Sequence, residues 1–223
     1  MDQEKWASVD RYIEHRLVPS DQVLEAALAA NSAAGLPAID VSPTQGKLLH
    51  LLAWIQQPRR ILEIGTLGGY STIWLARGLA PEGRMVTLEV DPKHAEVART
   101  NLVRAGLADA VEIRVGPAAA SLARLHEESA GPFDVIFIDA DKPSNPVYLA
   151  WALKLSTLGS LIVVDNIVRE GAIIDAASAD PAVQGVRAMF AMLAAEPRLS
   201  ATVVQTVGSK GYDGFMMALV VSE

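Results

Sequence analysis

From Arg60 onward the chain alternates short apolar runs with longer segments of helical period, the pattern that a parallel sheet with crossover helices produces. The runs are RILEI (60–64), RMVTLEV (84–90), VEIRV (111–115), FDVIFID (133–139) and SLIVVD (160–165). Several are apolar at consecutive positions, as strands covered on both faces are. Between and after them the period predicts helices near 70–80, 92–106, 117–129, 145–157 and 182–195. The last stretch changes character: ATVVQTV and GFMMALVVS flank the polar GSKGYD, which reads as an antiparallel hairpin closing the sheet. Residues 1–57 read as a helical segment ahead of an α/β core over 58–223, together one domain.

Helix starts are marked by side chains that can take up free backbone amides. Ser42-Pro43 followed by Gln45 predicts an N-cap, a proline in the first turn and a capping box. Asp91-Pro92 and Asp180-Pro181 repeat the cap-proline signal.

Composition then narrows the partners. A chain of 223 residues that is 51% hydrophobic and 20% charged fits a compact globule. Its formal net charge of −7 works against a nucleic acid or an anionic membrane surface, both of which need a basic patch, so small molecules are the expected partners. With no cysteine there is no disulfide, thiolate metal site or thiol nucleophile. The start, MDQEKWASVD, is charged where a signal peptide is apolar, and no run approaches the ~18 apolar residues needed to span a bilayer. These features predict a soluble, cytoplasmic protein.

The first strand runs into LEIGTLGGYST, with Gly65, Gly68 and Gly69 ahead of a helix. Glycines there permit a sharp turn and the approach of a nucleotide-like ligand to the main chain. Their spacing differs from the G-x-G-x-x-G of dinucleotide binders. Glu63, two residues before Gly65, would repel a pyrophosphate and attract a cationic ligand, which favours S-adenosylmethionine over NAD. Glu89 ends the second strand, twenty residues after Gly69, where an acid can take both ribose hydroxyls. The plainer alternatives are a tight turn and an exposed acid.

At the fourth strand the apolar run VIFID ends in Asp139, followed by Asp141 and Lys142, and the fifth ends in Asp165-Asn166. Ligands of open parallel sheets bind beyond the carboxyl ends of strands. If these two strands are neighbours, Asp139, Asp165 and Asn166 collect oxygen donors suited to Mg²⁺, Ca²⁺ or Mn²⁺. Taken singly, each acid reads as a turn cap, and Asp165-Asn166 as an Asx turn.

LEIGTLGGYS, FIDADK and VVDN, in this order and spacing, resemble the cation-dependent class I S-adenosylmethionine O-methyltransferases, the caffeoyl-CoA and catechol O-methyltransferase family with many bacterial members. The resemblance extends from SPTQGKLL (42–49) to the final strand. It implies a Rossmann-like class I methyltransferase fold: a seven-stranded, mostly parallel sheet with an antiparallel C-terminal hairpin strand and helices on both faces. It further implies a methyl transfer to a hydroxyl of a small catechol-like aromatic, and a homodimer. By similarity Glu63, Gly65, Thr66 and Ser71 line the cofactor's methionine side, Glu89 the ribose and Ala118 the adenine region. Val41 falls at a cofactor contact ahead of the capped helix, and Asp139, Asp165 and Asn166 hold the cation. Asp139 is thereby both metal- and cofactor-facing. Asp141 orients the cofactor's amino group, and Lys142 matches the family's proposed general base, a salt bridge to Asp141 being the alternative.

The segment DADKPSNPVYLAW departs from the family in its two prolines, which stiffen the loop expected to border the substrate. His50, His94 and His126 fall within predicted helices and read as surface or half-buried residues. Two other readings compete: an NAD-dependent oxidoreductase on the same sheet, and a noncatalytic module that retains the cofactor fold.

Overall fold

The protein is described by a computed structural model covering residues 3–222; Met1, Asp2 and Glu223, the ends of the span read as one domain, lie outside the described residues. Helices α1 (Gln3–Leu17), α2 (Gln22–Ala33) and α3 (Pro43–Gln56) precede strand β1 (Arg60–Ile64). There follow α4 (Tyr70–Ala76), β2 (Arg84–Glu89), α5 (Pro92–Arg104), β3 (Val111–Val115), α6 (Ala118–Glu127) and β4 (Val135–Ile138). The chain ends with α7 (Asn145–Lys154), β5 (Leu161–Asp165), α8 (Pro181–Ala195), β6 (Leu199–Gly208) and β7 (Gly211–Val220). Three-residue-per-turn helical segments lie at Lys142–Ser144 and Arg169–Ile174.

The sheet has seven strands in the order β3-β2-β1-β4-β5-β7-β6. All pairs from β3 to β5 are parallel, while β7 runs antiparallel to both β5 and β6, as the late strand-like runs predicted. Gly208 pairs with Gly211, so the expected GSKGYD turn contracts to Ser209-Lys210 and β7 begins earlier than the pattern placed it. The order reverses between β1 and β4, which opens a crevice at their carboxyl ends.

Strand alternation divides the core into two layers. Leu62, Ile64, Ile136, Ile138 and Val164 face α6, α7 and α8. Ile61, Met85, Val135, Phe137 and Val163 face α2 to α5. Each of these side chains is almost wholly buried, worth about 2 kcal/mol apiece against exposure. Asp91 and Asp180 cap their helices as expected, accepting from the amides of Lys93 at 2.7 Å and Ala182 at 2.8 Å. Ser42 Oγ accepts from the Gln45 amide at 3.2 Å, but the Gln45 side chain leaves the expected capping box and reaches Asp165. The N-terminal segment is broken between its helices at residues 18–21 and 34–42. Among the described residues no helix is long and apolar enough to cross a membrane.

Candidate active site

The turn after β1 is shaped by the protein's own packing. Gly65 holds φ +101°, and a Cβ there would lie 2.2 Å from the Asp139 carbonyl, so β1 and β4 can close together only at glycine. At Gly68 a Cβ would strike Asn31 Oδ1 at 1.9 Å. Close contact between chain segments therefore requires these two glycines. Asn101 Nδ2 donates to Gly68 O at 2.9 Å and to Asn31 Oδ1 at 3.1 Å. Asn31 Nδ2 in turn donates to Asp40 at 2.9 Å, fastening the segment before α3 to the turn.

Glu63 lies beside Thr87 in the β1–β2 register and, by alternation, within the layer under α4. It is fully buried. Its Oε1 accepts from Ser71 Oγ at 2.7 Å; its Oε2 accepts from Thr72 at 2.5 Å and Thr87 at 2.6 Å. Burial raises this carboxyl to about 7 against the opposing pull of the three hydroxyls. Glu89 Oε2 accepts from the amides of Leu67 at 2.8 Å and Thr66 at 3.3 Å, and Oε1 from that of Asp91 at 2.9 Å.

Asp139 follows β4 and Asp165 ends β5, strands paired in register with Ile138 opposite Val164. The two acids therefore stand on neighbouring strand ends. Asp165 Oδ2 accepts from Gln45 Nε2 at 2.6 Å and Oδ1 from the Asn166 amide at 2.8 Å. Burial, then the charge of Asp139, pushes the Asp165 carboxyl up to about 7, against Lys142 and those hydrogen bonds. Lys142 Nζ is 2.8 Å from Asp139 Oδ1, so its partner is Asp139 and not Asp141. Asp141 instead accepts from Tyr148 Oη. Burial raises the Asp141 carboxyl, but hydrogen bonds from Ser144 and Tyr148 outweigh it and leave the group below its ordinary range. Among the described residues no three His, Cys, Asp or Glu side chains group as a metal site. The candidate set consists of two carboxylates and the Asn166 carboxamide.

A cleft of about 740 Å³ opens over these strand ends. Val41, Gly65, Thr66, Ser71, Glu89 and Ala118 line it, as do Asp139, Asp141, Lys142 and Asn166. Glu63 and Asp165 do not: both are buried behind the wall, Glu63 beneath Ser71 and Asp165 beneath Gln45. Sequence reasoning missed Tyr148, which lines the cleft and holds Asp141, although it lies one further helical step down the segment whose prolines drew attention. It also missed Gln45, read only as a cap, and His94, which lines the cleft with Nδ1 3.7 Å from Glu89.

The chain is similar to known proteins over nearly its whole length. The O-methyltransferase family profile matches residues 7–219. A catechol O-methyltransferase of Niastella koreensis is 54% identical over 99% of this chain and 100% of its own length. One from Mycobacterium tuberculosis is 56% identical over 95% of this chain and 94% of its own. An O-methyltransferase from Bacillus cereus, crystallised with S-adenosylhomocysteine, superposes with a TM-score of 0.97 at 60% identity, covering 98% of this chain and 99% of that one. A match of this extent sets aside the oxidoreductase and noncatalytic alternatives: the chain belongs to the O-methyltransferase family and has a methyltransferase's Rossmann-like fold.

Proposed function

We propose that the protein is an S-adenosylmethionine- and divalent-cation-dependent O-methyltransferase acting on a hydroxyl of a small aromatic vicinal diol. The observation that carries this reading is the acid pair at the ends of β4 and β5. Asp139 and Asp165 share the single positive charge of Lys142, and Asp165 is buried with its carboxyl held near 7. Two carboxylates and a carboxamide are hard oxygen donors, and a further positive charge would relieve the strain between the acids. That donor set fits Mg²⁺ best, with Ca²⁺ or Mn²⁺ as alternatives.

Asp139, Asp165 and Asn166 would hold the cation, with Gln45 fixing the Asp165 carboxylate from behind. When bound, the ion would supply the charge that makes a phenolic hydroxyl near it lose its proton more easily. Gly65, Thr66 and Ser71 form the wall for the methyl donor's amino-acid end, with Glu63 acting through Ser71. Asp141, fixed by Tyr148, faces the same space and would orient the donor's amine. Glu89 offers its remaining lone pairs to the ribose, and Ala118 with Val41 leaves room for the base and the chain near it. Transfer makes one oxygen–carbon bond and breaks one carbon–sulfur bond, so the residues' task is position and charge. Lys142 is the only described lysine lining the cleft; it would accept the hydroxyl proton only as the neutral amine, after giving up to solvent a proton of the ammonium group that now donates to Asp139.

The catechol substrate class is supported by the names of the two relatives above. The reading includes a homodimer: β6 is a ten-residue edge strand, and Val203, Val204 and Val207 on it are exposed. Sedimentation at the monomer mass would remove that part alone. The function is tested by incubating the protein with S-adenosylmethionine and a panel of catechols, with Mg²⁺ or with EDTA, and following product mass. A gain of one methyl group with Mg²⁺ and none with EDTA is expected; equal product in EDTA would remove the cation.

A further inference from the structure

The turn at Lys142–Ser144 rests on a helix from a distant part of the chain. A Cβ on Gly185 of α8 would lie 2.3 Å from the Lys142 carbonyl oxygen and 2.7 Å from Pro143 Cα. Both are backbone atoms, so no side chain can swing aside to make room. Gly185 keeps an ordinary helical backbone within Pro181–Ala195, where alanine is the more favourable residue. Nothing within α8 requires glycine at this position; the turn packed against it does.

The same stretch of α8 also holds the other loop beside the acid pair. Gln184 Nε2 donates to Ser178 O at 3.1 Å and Arg187 Nη1 to Ile173 O at 2.5 Å, which fastens the segment that follows Asp165 and Asn166. Lys142 is buried, with its Nζ donating to Asp139 at 2.8 Å. Pro143 and Pro146, the two prolines that set this loop apart, limit how far the turn can bend. A stiff turn on a backbone seat moves as one piece, and Lys142 moves with it.

We propose that Gly185 is a positioning residue: the notch it leaves in α8 seats the Lys142 turn, so that one stretch of that helix sets the spacing between the chain after β4 and the chain after β5. This rests on the reading of Lys142 and the acid pair as the acceptor's side of the cleft. A Cβ at 2.3 Å must be relieved by a shift of about 1 Å, and a misplacement of that size costs about a hundredfold in rate.

Gly185→Ala tests this with two readouts. The first is labelling by acetic anhydride without any ligand, followed by peptide mass. Buried Lys142 should label slowly in the wild type and about tenfold faster in the variant, with exposed Lys154 unchanged. The second is turnover with S-adenosylmethionine, Mg²⁺ and a catechol. There kcat should fall about a hundredfold, while the dissociation constant for S-adenosylhomocysteine stays within about threefold of wild type. Val186→Ala is the control, because it removes buried volume from the same helix and adds none at the turn. It should lower the melting temperature and leave both kcat and Lys142 labelling unchanged.

An unchanged labelling rate at Lys142 in Gly185→Ala overturns the inference, and so does faster labelling with unchanged kcat; both leave the proposed activity standing. An equal effect of Val186→Ala on both readouts reduces the contact to general stability and overturns it too. A wild type inactive toward every catechol removes the proposed activity, and labelling alone then decides the inference. If Gly185→Ala does not fold, adding Pro143→Gly lets the turn yield. The same gain in Lys142 labelling is then expected, and an unchanged rate overturns the inference.

Discussion

At the ends of β1 and β2, Glu63 and Glu89 are met by neutral donors of the protein itself: three hydroxyls for one and three backbone amides for the other. At the ends of β4 and β5, Asp139 and Asp165 face one lysine, one glutamine and one amide. The first pair is complete without a further ion. Its lone pairs are oriented by short local contacts, which suits binding a large ligand in one pose. The second pair carries more negative charge than its surroundings balance: burial first and then the charge of Asp139 raise the Asp165 carboxyl, whereas burial leads at Glu63 with no acid as close a cause. One sheet edge thus carries a finished hydrogen-bonding wall and, on the adjoining strands, an electrostatic deficit that a cation can fill.

The contrast breaks most visibly at Asp165. Asp165→Asn should reduce turnover about a thousandfold while the melting temperature of the metal-free protein stays level or rises, because a buried like charge is removed. A loss of both turnover and stability would make Asp165 a structural residue and erase the difference between the pairs.

Lys142→Met sharpens the same side. If Lys142 takes the substrate proton, turnover should fall about a hundredfold and the pH–rate profile should lose one limb. Unchanged turnover at all pH values would leave Lys142 as the Asp139 ion pair alone.

On the other side, Glu63 ties stability to pH. Its carboxyl sits near 7 in the folded chain and near 4.5 when unfolded, so the folded state binds the proton more tightly. Stability from this group is full below pH 4.5, declines as pH rises toward 7 and is flat above, a change on the order of 3 kcal/mol. Glu63→Gln should flatten that part of the profile in denaturant titrations at pH 5 and pH 8. Asp165, raised over a similar range, should keep a residual slope. An identical slope in wild type and variant would place the Glu63 carboxyl in its ordinary range.

The smallest effect is expected at Tyr148→Phe. Asp141 loses a hydrogen bond there, and KM for S-adenosylmethionine should rise about fivefold with kcat little changed. A fall in kcat alone would move Tyr148 from cofactor positioning to the reacting groups.

Much of this was legible from sequence because the signals are local. Consecutive apolar residues marked β1, β4 and β5, and Asp91 and Asp180 cap where their prolines announced. Asp139, Asp165 and Asn166 were readable as strand ends, since a run of Val and Ile stops at an acid. What escaped depends on distant chain. Gln45 has the spacing of a capping box, yet the end of β5 lies within its reach and offers a buried charge. Lys142 opens a tight helical turn that carries its side chain back to Asp139, a geometry its neighbour Asp141 does not reveal. Glu63 read as a ligand contact because its charge was visible and its burial was not; the parity of β1 places it against Thr87, under α4. Gly68 read as room for a ligand, while Asn31, far back in the chain, is what fills that room.

The central claim, that the acids ending β4 and β5 are built for a divalent ion, is tested most directly by calorimetric titration of the purified protein with Mn²⁺ in the absence of substrate. Wild type should bind one ion per chain, and the Asp139→Asn/Asp165→Asn double variant, folded to the same extent by circular dichroism, should bind none. Equal binding by both proteins, or no binding by the wild type, would contradict it.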